Sequence, residues 1–197
     1  MILPIVAYGD PVLKKRATEI TPEYSDLKSL IEDMYETMYG AHGVGLAAPQ
    51  IGRSIRLFLV DTAPFSEDVS YSKSERNALK LFKKTFINPE ILEETGEEWA
   101  FNEGCLSIPN VREDVLRKPH IKIRYQDENF ETCTEEFDGL IARVIQHEYD
   151  HIEGVLFTDK VSSLKKRLLK SKLTSISKGK INVDYRMRFP QISKKRF

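Results

Sequence analysis

Apolar positions recur along this chain with two periods, and each change of period marks an element. Leu27, Leu30, Ile31, Met34 and Met38 follow one another at helical steps, the stripe of a helix with one buried face. Thr21 as N-cap, Pro22 at the first helical position and Gly40 as a stop predict that helix over 21–40. A second helical stripe runs through Leu140, Ile141, Val144, Ile145 and Ile152, with Asp138 as N-cap and Gly154 as C-terminal stop. A third, Val161, Leu164, Leu168 and Leu169, predicts a C-terminal helix. Between them the period falls to two. Ile55–Val60 reads as a strand, Glu97–Phe101 as another, and Thr85–Asn88 with Ile91–Leu92, split by Pro89, as edge-strand material. His120–Tyr125 and Phe130–Phe137 alternate on either side of the polar Asp127-Glu128-Asn129, which predicts a hairpin. Ile181–Tyr185 reads as a short final strand. Residues 1–20 read as an extended arm with turns at Gly9-Asp10-Pro11. Residues 62–84 are polar, an exposed insertion with one short helix and no visible chemistry. The Gly43–Gly52 run, rich in small residues, allows close backbone approach.

This pattern predicts an α+β fold. Antiparallel β-sheets surround the 138–154 helix, with the 21–40 helix packed outside and a C-terminal helix plus short strand appended. Residues 1–160 form the main domain; 161–197 form a basic extension packed on it. From Lys160 to Arg196 the extension carries many Lys and Arg against one acid, Asp184.

Composition changes this picture little. The 197 residues carry 30 basic and 30 acidic side chains, so no global field points to nucleic acid or membrane. No apolar run approaches the roughly 20 residues of a membrane helix, and no leader pattern opens the chain. A cytoplasmic protein is expected. Its two cysteines, Cys105 and Cys133, are expected to stay reduced.

The chemistry lies on the second helical stripe. Gln146-His147-Glu148-Tyr149-Asp150-His151 places two imidazoles four residues apart, on one helix face. They can share a divalent ion, with Glu148 beside them to handle a proton on a coordinated water. Two histidines and a carboxylate on an otherwise apolar helix would be costly to bury without such a partner. A catalytic metal takes three protein ligands and leaves a position open. No histidine follows His151, and Glu153 is too near in the helix to reach round, so the third ligand lies upstream. Cys105 is the best candidate, with Gly104 freeing the backbone to bring its sulfur in. Taken alone, Cys105 would read as a buried structural thiol. Cys133 is assigned to a strand face toward the core, and His42 and His120 to a loop and a strand without chemistry.

Three motifs, Gly43-Val-Gly-Leu-Ala-Ala-Pro-Gln50, Glu103-Gly-Cys-Leu-Ser107 and Gln146-His-Glu-Tyr-Asp-His151, together resemble those of the peptide deformylases, in the same order. Asp10-Pro11-Val12-Leu13 in the arm is similar too. The resemblance implies hydrolysis of the formyl group from the N-terminal formyl-methionine of nascent peptides, releasing formate. It implies Cys105, His147 and His151 as metal ligands and Glu148 as general base and then acid. It implies oxyanion donation by the Gln50 side chain and the Leu106 backbone N–H. The residue chemistry agrees: a divalent ion lowers the pKa of a coordinated water from about 15.7 towards 7, and an amide leaving group needs a proton from a positioned carboxylate. Backbone groups of 43–46, Val44 and Gly45 among them, are expected to pair with the substrate main chain. Val44, Leu140 and Val144 are expected in an apolar methionine pocket. Glu103 is expected either to pair with Arg112 or Arg117 or to be solvated. Two histidines and a thiolate suit Zn²⁺ by geometry, whereas the resemblance implies Fe²⁺, with Ni²⁺, Co²⁺ or Zn²⁺ as substitutes. It further implies that the basic extension contacts the ribosome; a monomer is expected. The competing readings are a peptidase of the His-Glu-x-x-His type, which the missing downstream ligand disfavours, and a binding module, which has no use for Glu148.

Overall fold

The computed structural model describes residues 1–190; Lys194, Lys195 and Arg196 of the basic extension lie outside them. In chain order its elements are β1 (Ile5–Val6), α1 (Leu27–Gly40), β2 (Gly45–Ala47), β3 (Leu57–Asp61), α2 (Lys73–Leu81), β4 (Lys83–Thr95) and β5 (Trp99–Cys105). They continue with β6 (Ile108–Arg117), β7 (His120–Gln126), β8 (Thr132–Asp138), α3 (Gly139–Ile152), α4 (Ser163–Ser177) and β9 (Met187–Arg188).

The α+β expectation holds. An antiparallel sheet in the order β2-β3-β4-β7-β8 stands beside a β5-β6 hairpin. Every residue of β3 is buried because both faces of the sheet are covered. Leu57 and Leu59 pack with Met34 and Met38 of α1. Phe58 and Val60 point the other way, toward Ala142, Val144, Ile145 and Ile152 of α3. That two-sided burial makes β3 read as a continuous apolar run. A third cluster joins Val6 and Leu13 of the arm, Ile108 and Val115 of β6, and Phe157, Leu173 and Ile176 beyond α3. Two buried side chains, Leu173 and Ile176, hold α4 down, each worth about 1.5–3 kcal/mol.

Several expected boundaries move. α1 starts at Leu27 rather than Thr21. Asp26 takes a left-handed φ of 59°, which ends any helix from upstream, and Pro22 serves a turn closed by the Tyr24 N–H on the Thr21 carbonyl. β4 is no edge: it lies between β3 and β7. Pro89 is admitted where the register shifts between Ile87 and Glu90, beside Asn88 at φ 49°, so no ladder N–H is missed there. β6, which the sequence did not suggest, pairs along β5 despite Pro109. The final strand is Met187–Arg188, not 181–185, and it pairs in parallel with β1. The polar 62–84 segment contains α2 and a short 3-10 turn, Ala63–Glu67, and is mostly exposed as expected. Cys133 is half-buried on β8 against the second cluster.

α3 is the pivot of the molecule. Ten of its residues are buried, from Leu140 to Ile152. Asp138 stands at its N-cap position, although its side chain makes no cap bond. Gly154 ends it at φ 74°, and a Cβ there would fall 2.8 Å from the Lys14 carbonyl. Glycine is therefore required both by conformation and by the arm passing alongside. No helix among the described residues is long and apolar enough to cross a membrane.

Candidate metal centre

The sheet and the hairpin press α3 against the end of β5, and that contact builds the site. Cys105 closes β5, where a register shift after Gly104 lets residue 105 pair with Ile108 across the tight Leu106-Ser107 turn. His147 and His151 present rings one helical turn apart, with centroids 5.1 Å from each other. Cys105 Sγ lies 3.2 Å from His151 Nε2. The ligand atoms of Cys105, His147 and His151 all fall within 4.8 Å of one another.

This arrangement fits a divalent ion. With metal–sulfur and metal–nitrogen bonds of about 2.3 and 2.1 Å, tetrahedral donors stand roughly 3.5 Å apart, close to the observed sulfur–nitrogen separation. Electrostatics agree. Burial opposes charge on His147, yet its hydrogen bonds with Cys105 and Glu103 outweigh that and carry its pKa up to about 10. Groups that draw a proton to this spot also draw a cation. His151 goes the other way: burial, then the nearby His147, hold it well below the usual imidazole range, in the neutral form that ligates.

Glu103 settles the His147 ring. Its Oε2 is 2.9 Å from His147 Nδ1, the tautomer-fixing contact typical of ligating histidines. Glu103 is only 4% exposed. Arg117 donates to both its oxygens, from Nε at 2.7 Å and Nη2 at 2.9 Å, and Arg143 donates from Nη1 at 3.0 Å. Arg117 also donates to Asp150 Oδ2 at 2.7 Å. Burial alone would raise the Glu103 pKa, but the bonds from Arg117 and His147 hold it far below the usual carboxylate range. Of the expected alternatives, the buried pairing with Arg117 is the one observed. Arg112 instead bonds to Asn102.

Glu148 is 4% exposed, and its Oε2 has no hydrogen-bond partner among the described residues. Burial pushes its pKa up to about 7. A Cβ on residue 45 would stand 2.7 Å from Glu148 Cδ, so Gly45 is the space in which this carboxylate rests.

Gln50, at the end of the Ala48–Ile51 3-10 turn, is oriented by its own loop. Its Oε1 accepts from the Ala47 N–H at 2.8 Å, which turns Nε2 toward Cys105 Sγ and Ser107 Oγ, each 3.4 Å away. Leu106 follows Cys105 directly, and its carbonyl accepts from the Tyr185 hydroxyl at 2.8 Å.

These groups line a cavity of about 800 Å³. Val44, Gly45, Gln50, Cys105, Leu106, Val144, His147 and Glu148 all reach it. Leu140 does not; it is buried near the start of α3, where it serves packing. His151 lies behind the cavity lining, 1% exposed. Among the lining residues that the sequence reading did not place here, three bear on the chemistry. Phe65 comes from the polar segment that was read as chemically silent, Arg143 from the apolar face of α3, and Tyr185 from the tail. His42 lies on an exposed turn at φ 57° yet lines the cavity, and His120 is an exposed strand residue away from it.

Comparison with known proteins gives one answer. The family model described as polypeptide deformylase matches residues 2–167. A peptide deformylase of Christiangramia forsetii is 65% identical over 196 residues, covering 100% of both chains. Among solved structures, the peptide deformylase of Thermotoga maritima superposes with a TM-score of 0.71 at 42% identity, covering 82% of this chain and 99% of its own. That of Legionella pneumophila gives 0.75 at 35% identity, covering 91% and 98%.

Proposed function

The chain belongs to the peptide deformylase family and is a hydrolase of N-formyl peptides, and we propose from that premise which of its residues carry the reaction. The observation that supports the assignment is one convergence. The sulfur of Cys105 and two imidazoles of α3 meet within 4.8 Å, beside a buried carboxylate that has no partner among the described residues. Cys105, His147 and His151 would hold one divalent ion. When bound, the ion supplies Lewis acidity, so that water attacks the formyl carbon at neutral pH. Glu148 takes the proton from the attacking water and returns it to the leaving nitrogen; a pKa near neutrality suits both transfers. The Gln50 Nε2–H and the Leu106 N–H donate to the oxyanion that develops on the formyl oxygen. Each such donor is typically worth about 2.7–4 kcal/mol.

Substrate binding follows from the sheet. β2 is the edge of its sheet, with β3 on one side only. The Val44–Gly45 backbone can therefore accept an extended peptide as an added strand, reading the main chain rather than the sequence. Val44 and Val144 form part of the apolar wall for the methionine side chain. An endopeptidase reading has no observation in its favour.

We assign Fe²⁺ as the working ion; sulfur with two nitrogens also suits Zn²⁺, Ni²⁺ and Co²⁺. A thiolate-ligated ferrous ion is open to oxidation by air. Iron-loaded protein is expected to lose formate release from formyl-Met-Ala-Ser within minutes to hours of aerobic incubation, whereas nickel-loaded protein keeps it. Equal aerobic lifetimes for the two forms would rule iron out as the labile working ion.

We place the enzyme in the cytoplasm, acting on nascent chains, and propose that α4 meets the ribosome. Lys166, Arg167, Lys170 and Lys172 are exposed on α4, alongside Leu164 and Leu168 at 65% and 72% exposure. A basic face with an apolar edge suits a phosphate-rich surface. Co-sedimentation with ribosomes is expected at low salt and to be lost as salt rises. Its absence at low salt, or its persistence at high salt, removes the proposal.

A further inference from the structure

The family model ends at residue 167, before the segment that closes one side of the cavity. After α4 the chain turns at Gly179 and returns along the molecule to β9, which pairs with β1. On the way, residues 182–185 line the cavity that contains Cys105 and Glu148. The Tyr185 ring packs against the first core cluster, and its hydroxyl donates to the Leu106 carbonyl at 2.8 Å. The next carbonyl, that of Ser107, accepts from the Tyr8 N–H at 2.8 Å. The tight turn after Cys105 is thus tied at two successive carbonyls. One tie comes from the N-terminal arm, the other from the C-terminal return, and β1 and β9 join those two segments.

A backbone donor in a two-residue turn is only as well aimed as the turn is rigid. Gln50 is aimed by its own bond to Ala47. Among the described residues no side chain of its own loop bonds to Leu106, and here the tail supplies such a bond. We propose that the 182–185 return segment is a working wall of the active site and that Tyr185 is a positioning residue, its hydroxyl holding residue 106 so that the Leu106 N–H faces the oxyanion. This rests on Leu106 being an oxyanion donor, as proposed above.

The test uses the full-length, metal-loaded protein carrying Tyr185→Phe, which removes a single oxygen. With formyl-Met-Ala-Ser, kcat is expected to fall about fivefold to tenfold with KM held within about twofold, the scale of one hydrogen bond felt in the transition state. Metal content and the visible spectrum of the cobalt-loaded form are expected to match wild type. Unchanged kcat overturns the proposal. A cobalt spectrum that moves together with kcat also overturns it, because the hydroxyl would then act through the Cys105 ligand. Selective ¹⁵N-leucine labelling of the zinc-loaded protein, titrated with formate, separates the two layers. A Leu106 amide that ignores formate in wild type removes the donor assignment itself. A Leu106 amide that responds alike in wild type and variant, with normal kcat, removes only the role of Tyr185.

Discussion

Glu148→Gln is expected to lower the rate of formate release by about 10²–10⁴-fold while leaving metal content unchanged. Gln matches Glu in size and keeps one oxygen, so the cavity wall is preserved. What it lacks is a site that can take a proton from water and hand it on. Glu148 is not one of the three groups that converge on the ion site, so binding of the ion should not depend on its charge. Measurement of kcat with formyl-Met-Ala-Ser, beside metal analysis of the same sample, decides the matter; turnover within tenfold of wild type would remove Glu148 from the mechanism. Gly45→Ala reaches the same carboxylate from the opposite side. The added methyl would crowd Glu148 Cγ and Cδ, both 2.7 Å from its position, and force the carboxylate out of its resting place. The two substitutions should therefore share a phenotype, metal retained and kcat lost, although one changes the carboxylate and the other only the space it occupies.

What the sequence displayed of this site was what local spacing encodes. His147 and His151 are four apart on a helix, and helical geometry puts them on one face whatever the rest of the fold does. The β7–β8 hairpin was legible because alternation and a polar turn sit next to one another in the chain. Long-range packing left no such mark. Pro89 argued for an edge strand, and only the ladder shift beside Asn88 shows how a central strand accommodates it. Leu140 and Val144 are equally apolar and share one helix face, yet only Val144 reaches the cavity. For Glu103 the sequence leaves pairing with Arg112 or Arg117 and a solvated charge side by side, and it gives no sign of Arg143, 40 residues away. Tyr185 lies 79 residues from the carbonyl it holds, beyond any local pattern. Cys105 was reachable by elimination, since no histidine follows His151.

The buried charge cluster around Glu103 yields the largest expected loss of stability. Two guanidinium groups and an imidazole bond to this one carboxylate, Arg117 sharing itself with Asp150, and Arg117 and Arg143 are themselves 6% and 2% exposed. Removing one member of a buried ion pair costs about 3–5 kcal/mol, because the remaining charges keep their desolvation penalty. Glu103→Gln should therefore lower Tm by roughly 6–20 °C, taking about 2–4 °C per kcal/mol for a chain of this size. The substitution should also loosen the His147 ring and weaken metal affinity by about 10–100-fold. Unfolding of the metal-free protein isolates the first effect, and metal titration of the folded protein isolates the second. The pH dependence separates a charge effect from a packing effect. The folded pKa of Glu103 is depressed, chiefly by Arg117 against the pull of burial. Its stabilisation is thus fully present above the unfolded value of about 4.3 and fades only as pH falls below that toward the folded pKa. Below about pH 6, where His147 is charged in the folded and unfolded chain alike, the stability gap between wild type and Glu103→Gln should stay constant down to about pH 5 and narrow only in stronger acid. A gap that failed to narrow in stronger acid would mean that Glu103 titrates in the folded protein as an ordinary carboxylate and that Arg117 does not hold it ionised.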